Sequence, residues 1–128
     1  MKRLLMGLML LLVSGAASAE WTYAGEGGNY IHYVDRTTIR RNGNFVKMWD
    51  LIDFKKVEVI GGKSDLSRRA QYEYDCKEEK MRSLALTTFS GQMGSGAVNY
   101  TDSDTEKWVP VAPESIGETQ WKIACGKK

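Results

Sequence analysis

The chain has 128 residues, with 18 Lys and Arg against 16 Asp and Glu and a formal net charge of +2. This length is enough for one domain with one hydrophobic core. So small a charge excess excludes the simplest basis for binding nucleic acid or anionic membranes, which is a strongly basic surface.

The start of the chain has the pattern of a cleaved secretory signal peptide. Two basic residues precede a short apolar run at residues 4–13, and Ala-Ser-Ala at residues 17–19 fits the small-residue rule for cleavage. The run is too short to cross a bilayer, which takes about 20 residues, and a retained anchor helix is the alternative. We therefore expect an exported protein, with a signal peptide at residues 1–19 and a single domain at residues 20–128. Cleavage removes two basic residues and no acidic ones, which leaves a neutral chain.

Asn42-Gly43 predicts the first hairpin, because Asn-Gly tolerates positive φ at both positions of a two-residue β-turn. The incoming strand contains YIHYVD and TTIRR, and Asp35 is expected to accept backbone N–H groups in an Asx-type turn. The outgoing strand, NFVKMWDLIDF, is apolar on both faces. This pattern is typical of a central strand covered on both sides, or of a strand whose second face meets another subunit.

His32, the only histidine, lies in the incoming strand. A catalytic base needs a nucleophile or an orienting carboxylate within hydrogen-bonding reach. Asp35 is the nearby carboxylate, but no nucleophile motif accompanies the pair. We interpret His32 as structural or solvent-facing, and we expect that the protein is not an enzyme.

Residues 55–67 have mixed charge and contain Gly61-Gly62, which predicts an irregular loop. Basic residues are concentrated around it, at Lys55, Lys56, Lys63, Arg68 and Arg69. Two interpretations remain open: a solvated face, or a surface that binds an acidic partner such as a polysaccharide or a protein.

Residues 70–76 alternate cleanly, with Ala70, Tyr72, Tyr74 and Cys76 on one face, as in a half-buried antiparallel strand. The polar stretch CKEEKM predicts a turn, and residues 82–89 predict the return strand of a second hairpin.

The next segments are short. GQMGSG lacks the lysine of a phosphate-binding loop and predicts a turn into a short strand. EKWVPV predicts another strand, and its proline suggests a sheet edge. TDSDTE leaves a weak calcium site as an alternative, but it lacks the glycine and distal glutamate of a specific calcium loop. We expect no metal and no cofactor.

The C-terminal segment changes to a helical period. Pro113 suits a first helical turn, and Ser115 with Glu118 fits a capping box, in which each side chain bonds the other's backbone N–H. Gly126 suits the helix end. One face of the predicted helix carries Gly117, Trp121, Ala124 and Cys125.

Cys76 and Cys125 are the two cysteines. In an exported small domain two cysteines usually pair, so we expect a disulfide, with a free reactive thiol or a metal site as the alternatives. A structural zinc site needs four ligands, and these cysteines with His32 supply three. The predicted fold is α+β: an antiparallel sheet with a C-terminal helix packed on one face, held by one disulfide.

The order of short motifs resembles the surface-adhesin protein E-like domain family of Gram-negative bacteria. The matching pieces are YVDRTTI, NGNFVKMWDLIDF, SRRAQYEYDCKEEKMR, FSGQMGSG, WVPVAPES and the terminal WKIAC, which follow one another in this order from residue 33 to residue 125. The resemblance implies a small exported domain with a sheet, a helix and a disulfide between Cys76 and Cys125, in the periplasm or at the cell surface.

The family resemblance also implies a function. The expected function is non-enzymatic binding of adhesin type, with a protein or extracellular-matrix ligand and possible homodimers. A periplasmic envelope-structural or accessory subunit that binds another envelope protein is the alternative. The resemblance assigns no ligand-binding residues.

Overall fold

The computed structural model describes residues 19–128, so the predicted signal peptide lies outside the described residues apart from Ala19. Within this range one antiparallel sheet has the strand order β1-β2-β3-β4-β5-β6, with β7 paired to β5. The strands are β1 (Thr22–Glu26), β2 (Tyr30–Asn42), β3 (Phe45–Ile60), β4 (Lys63–Asp75), β5 (Lys80–Phe89), β6 (Val98–Asp102) and β7 (Val109–Pro110). A 3₁₀ turn (Gln92–Gly94) precedes β6, and helix α1 (Ile116–Cys125) follows β7.

The hairpin predicted from Asn42-Gly43 is confirmed. Strand β2 ends at Asn42 and β3 begins at Phe45, and Gly43 has the positive φ of 62° that the turn requires. The Asx-type turn is also confirmed, because the Asp35 carboxylate accepts the Thr37 N–H at 3.0 Å. This turn lies where the β2–β3 register shifts.

The loop predicted at residues 55–67 is wrong. Strand β3 continues to Ile60 and β4 starts at Lys63, so the two form a long hairpin. Gly61 and Gly62 join them with φ values of 58° and 76°, as in a two-residue turn with positive φ at both positions. The sequence hides this extension because a bulge between Asp53 and Glu58 breaks the alternation, and because most side chains beyond it are exposed on both faces.

The main core lies between the sheet and α1. Helix residues Trp121, Ala124 and Cys125 pack on the sheet, and the indole N–H of Trp121 donates to the Asp75 carbonyl at 2.9 Å. The sheet side of this core consists of Val34, Val46, Met48, Tyr74 and Met81. A Cβ added at Gly117 would lie 2.8 Å from the sulfur of Met81, so glycine permits the close approach of the helix to β5.

The second face of β3 is covered by the chain itself. Leu51 is fully buried on that face, and hydrogen bonds hold the 3₁₀ turn against the same face. The Asp53 carboxylate accepts the Met93 N–H at 2.7 Å, and the Ser67 hydroxyl accepts the Gly94 N–H at 2.9 Å. The structure therefore favours the first of the two interpretations of β3, a central strand covered on both sides.

The predicted helix is confirmed, but Pro113 lies outside it. Helix α1 begins after its N-cap Ser115, whose hydroxyl accepts the Glu118 N–H at 3.1 Å. The Glu118 carboxylate was expected to bond back to Ser115, and it pairs instead with Lys122 at 3.3 Å. Glu114, between the proline and the cap, has a φ of 59°, which excludes helix there. Gly126 ends the helix in the left-handed conformation, as predicted.

A disulfide joins Cys76 to Cys125, as expected. Cys76 follows the end of β4, and Cys125 is the last residue of α1. The α+β fold, an antiparallel sheet with one C-terminal helix and this disulfide, is therefore confirmed.

Candidate functional site

His32 is buried, which contradicts the interpretation of a solvent-facing histidine. Its side chain is 2% exposed, and Nε2 lies 3.1 Å from the carboxylate of Asp50 on β3. The side-chain amide of Gln120, on α1, donates to the same carboxylate. The orienting carboxylate is therefore Asp50 and not Asp35, whose carboxylate bonds Thr37 and the Glu20 N–H.

Strand register explains this partner. His32 is the direct cross-strand partner of Ile52, so Asp50 is its diagonal neighbour, within reach of a long side chain. Burial raises the pKa of Asp50, while the bond from His32, the charge of Arg68 and the Gln120 amide partly oppose the shift. The three side chains link two strands to the helix, and none is a serine, threonine or cysteine nucleophile.

The basic residues around the hairpin do not form one surface. Arg68 and Arg69 are consecutive in β4 and point to opposite faces. The Arg69 guanidinium lies 5.5 Å from the ring centroids of both Trp49 and Phe89, whereas Arg68 lines the cleft under the helix. Lys55 pairs with Glu26 at 2.9 Å.

An exposed apolar surface lies at the far end of the β3–β4 hairpin. We call it the tip–edge surface and define it by Val59 and Ile60, which are consecutive in β3 and lie on its two faces, and by Val98 and Tyr100 of β6. These side chains are 54–69% exposed. Lys63 connects the two elements, because its ammonium donates to the Asn99 carbonyl at 3.1 Å.

Strand β6 is the end of the strand order. It pairs with β5 on one side, and no strand within residues 19–128 pairs with its other side. Unpaired backbone groups of an edge strand are able to bond an added strand, and exposed apolar side chains beside them add contact area. The tip–edge surface therefore has the features of a docking site for an extended segment.

Sequence reasoning missed this surface. The signal in the sequence was alternation of apolar residues, in VEVI and again between Val98 and Tyr100. The first segment was predicted to be a loop, and the second was predicted only as a short strand. The sequence does not show which of these side chains are exposed, because exposure depends on where α1 and the 3₁₀ turn lie.

No group of three His, Cys, Asp or Glu side chains within residues 19–128 is placed to hold a metal ion. The Asp102 carboxylate accepts the Asp104 N–H at 2.8 Å, so it closes a turn. Among the described residues, no helix has the length and apolar character needed to cross a membrane.

Fold and surface thus define a small disulfide-bonded α+β domain with an exposed apolar sheet edge. Residues 21–126 match the family described as surface-adhesin protein E. The chain belongs to this family. No curated protein gives a significant match.

Solved structures of protein E from Haemophilus influenzae share the fold. The crystal structure of protein E from the non-typeable bacterium has a TM-score of 0.63 at 12% identity, covering 85% of this chain and 77% of that chain. Crystal form II of H. influenzae protein E has a TM-score of 0.61 at 12% identity, covering 85% of this chain and 97% of that one. At such low identity the likeness concerns the fold alone.

Proposed function

We propose that this protein is an exported, non-enzymatic binding protein of adhesin type, which binds a protein or extracellular-matrix ligand through the tip–edge surface. Membership of the surface-adhesin protein E family supports the adhesin type, since surface adhesins are not a class of enzyme. The observation that carries the proposal is the run of exposed apolar side chains beside an unpaired strand edge.

The chemistry of the surface favours a protein ligand over a glycan. A polysaccharide offers neither a β-strand backbone nor apolar side chains, whereas an extended protein segment offers both. Tyr100, 54% exposed, supplies a large amphipathic side chain of the type enriched at binding hot spots. Lys63 beside it favours an acidic segment.

The test is saturable binding of the purified protein to immobilised basement-membrane matrix. The double variant Tyr100→Ser with Val59→Ser is expected to weaken binding at least about thirtyfold, because truncating one hot-spot residue costs roughly 2 kcal/mol or more. Tyr23→Ser is the matched control: Tyr23 is 57% exposed but lies on β1, at the opposite edge of the sheet. Equal binding by all variants would contradict the site.

Location needs its own measurement. Digestion of the protein by protease added to intact cells would support display at the surface. Protection of the protein, with a crosslinked complex recovered from the periplasm, would favour an accessory subunit. Homodimer formation through the β6 edge is also a proposal, and sedimentation of wild type against Tyr100→Ser tests it.

A further inference from the structure

A cavity on the helix side of the sheet shares Ile60 and Tyr100 with the tip–edge surface. Its volume is about 500 Å³, within the range of small-molecule sites, and apolar side chains form much of its wall. These are Phe54, Ile60, Leu86 and Tyr100. Arg68 lines both this cavity and the cleft beneath α1, so the cavity begins where the helix stops covering the sheet.

Two polar side chains stand side by side in this cavity. Arg68 of β4 and Thr88 of β5 are direct cross-strand partners, so their side chains leave the same face of the sheet as neighbours. Tyr100 of β6 is the partner of Thr88 on the other side. One row across the sheet therefore places a guanidinium, a hydroxyl and an aromatic ring along the cavity.

Within the part of the chain that the structure describes, the buried Thr88 hydroxyl has no hydrogen-bonding partner, and the half-buried Arg68 has no ion pair. Thr88 is only 7% exposed. The described ion pairs join carboxylates to His32, Lys55, Arg82 and Lys122, and Arg68 takes part in none of them. A buried polar group without a partner is costly, and such a group beside an unpaired guanidinium points to an acceptor supplied from outside.

The other charged groups around the cavity leave room for an anion. Asp65 is the one acidic residue of its lining, with its carboxylate bonded to the Asn99 amide at 2.7 Å, and the basic residues Arg68 and Lys63 outnumber it. Asp50 lies beneath the helix, and burial raises its pKa, which weakens its competition for Arg68.

We propose that this cavity binds a small amphipathic carboxylate. The carboxylate accepts hydrogen bonds from the Arg68 guanidinium and the Thr88 hydroxyl, as charged acceptors do with arginine. The aliphatic chain lies along Phe54, Leu86 and Tyr100 toward Ile60. This ligand class goes beyond the proposed docking of a protein and does not depend on it.

The experiment is calorimetric titration of the exported, purified protein with decanoate below its micelle concentration. One-to-one binding is expected, and decyltrimethylammonium, with a chain of the same kind and the opposite charge, is expected to bind at least about tenfold more weakly. Arg68→Gln is expected to reduce decanoate affinity by about tenfold, since it removes a charged hydrogen bond. Thr88→Val is also expected to reduce it by about tenfold, since the hydroxyl donates to the same charged carboxylate.

Arg41→Gln is the control. Arg41 is an exposed arginine near the end of β2, a strand that does not line the cavity. Equal decanoate affinity in wild type and Arg68→Gln, or the absence of saturable binding, would overturn the proposal. Changes in the amide chemical shifts of the wild-type protein on addition of decanoate test the site even where a variant unfolds. Shifts at Arg68, Leu86 and Tyr100 support the site, and shifts confined to other residues reject it.

Discussion

The disulfide is expected to supply a large part of the stability of the sheet–helix arrangement. Cys76 and Cys125 are 49 positions apart in the sequence, so the bond between them closes a loop that runs from the end of β4 to the end of α1. In the chain-entropy model a loop of this length stabilises the folded state by about 4 kcal/mol. Small domains are stable by only about 5–15 kcal/mol in total.

The perturbation is the double variant Cys76→Ala with Cys125→Ala, chosen because alanine places no new polar group in the core. Equilibrium unfolding in guanidinium chloride is expected to show a loss of about 4 kcal/mol, and the melting temperature is expected to fall by roughly 15 °C or more. Wild type unfolded in the presence of reductant is the control, and it should reproduce the loss of the double variant.

Amide hydrogen exchange shows which part of the fold loses stability when the disulfide is removed. Without the bond, α1 is held by Trp121, Ala124 and the cap at Ser115, so amide hydrogens of the last helical turn should lose protection before those of β3. A loss below about 1 kcal/mol, with unchanged protection in α1, would refute the reasoning that this bond secures the helix to the sheet.

Two further predictions concern buried carboxylates. The pKa of Asp50 is raised by burial, so the stability that its protonated form contributes is complete below the ordinary pKa of aspartate and is lost as pH rises through the higher folded pKa. Unfolding free energies across this pH range should therefore fall in wild type relative to Asp50→Asn, and a difference that changes the other way would reject the raised pKa. The second prediction follows from the Glu20 N–H, which donates to the buried Asp35 carboxylate at 3.1 Å. If cleavage follows Ala19, as we propose, this nitrogen is the terminal ammonium, and its acetylation should lower the free energy of unfolding by about 1 kcal/mol. The same acetylation in the Asp35→Asn variant should have almost no effect. Equal losses in both proteins would contradict the pairing of Glu20 with Asp35.

Local patterns predicted much of the fold. Asn42-Gly43 and the alternation from Ala70 to Cys76 depend on turn geometry and on one buried face, and both are visible in a few adjacent residues. The capping residue Ser115 is equally local. Strand β1 and the extended β3–β4 hairpin escaped prediction because their side chains are largely exposed, so no apolar face marks them.

The contacts of the candidate sites were beyond prediction for a different reason. The bond between His32 and Asp50 depends on the register of two strands, and the pairing of Arg68 with Thr88 depends on a bulge between Gln71 and Tyr72. A shift of one residue reverses the face of every following side chain. No short stretch of sequence contains that information.

The lengths of the elements explain why both proposals fall at one end of the sheet. Helix α1 has 10 residues and spans about 15 Å, whereas β3 has 16 residues and spans roughly 50 Å. The helix is held near Cys76 by the disulfide, so it covers the sheet beside Val46 and Tyr74 and leaves the sheet near Leu86 uncovered. An uncovered sheet face that only faced water would be expected to carry polar side chains, but this one carries Ile60, Leu86 and Tyr100. The apolar composition of the uncovered end is therefore best explained by something that binds there.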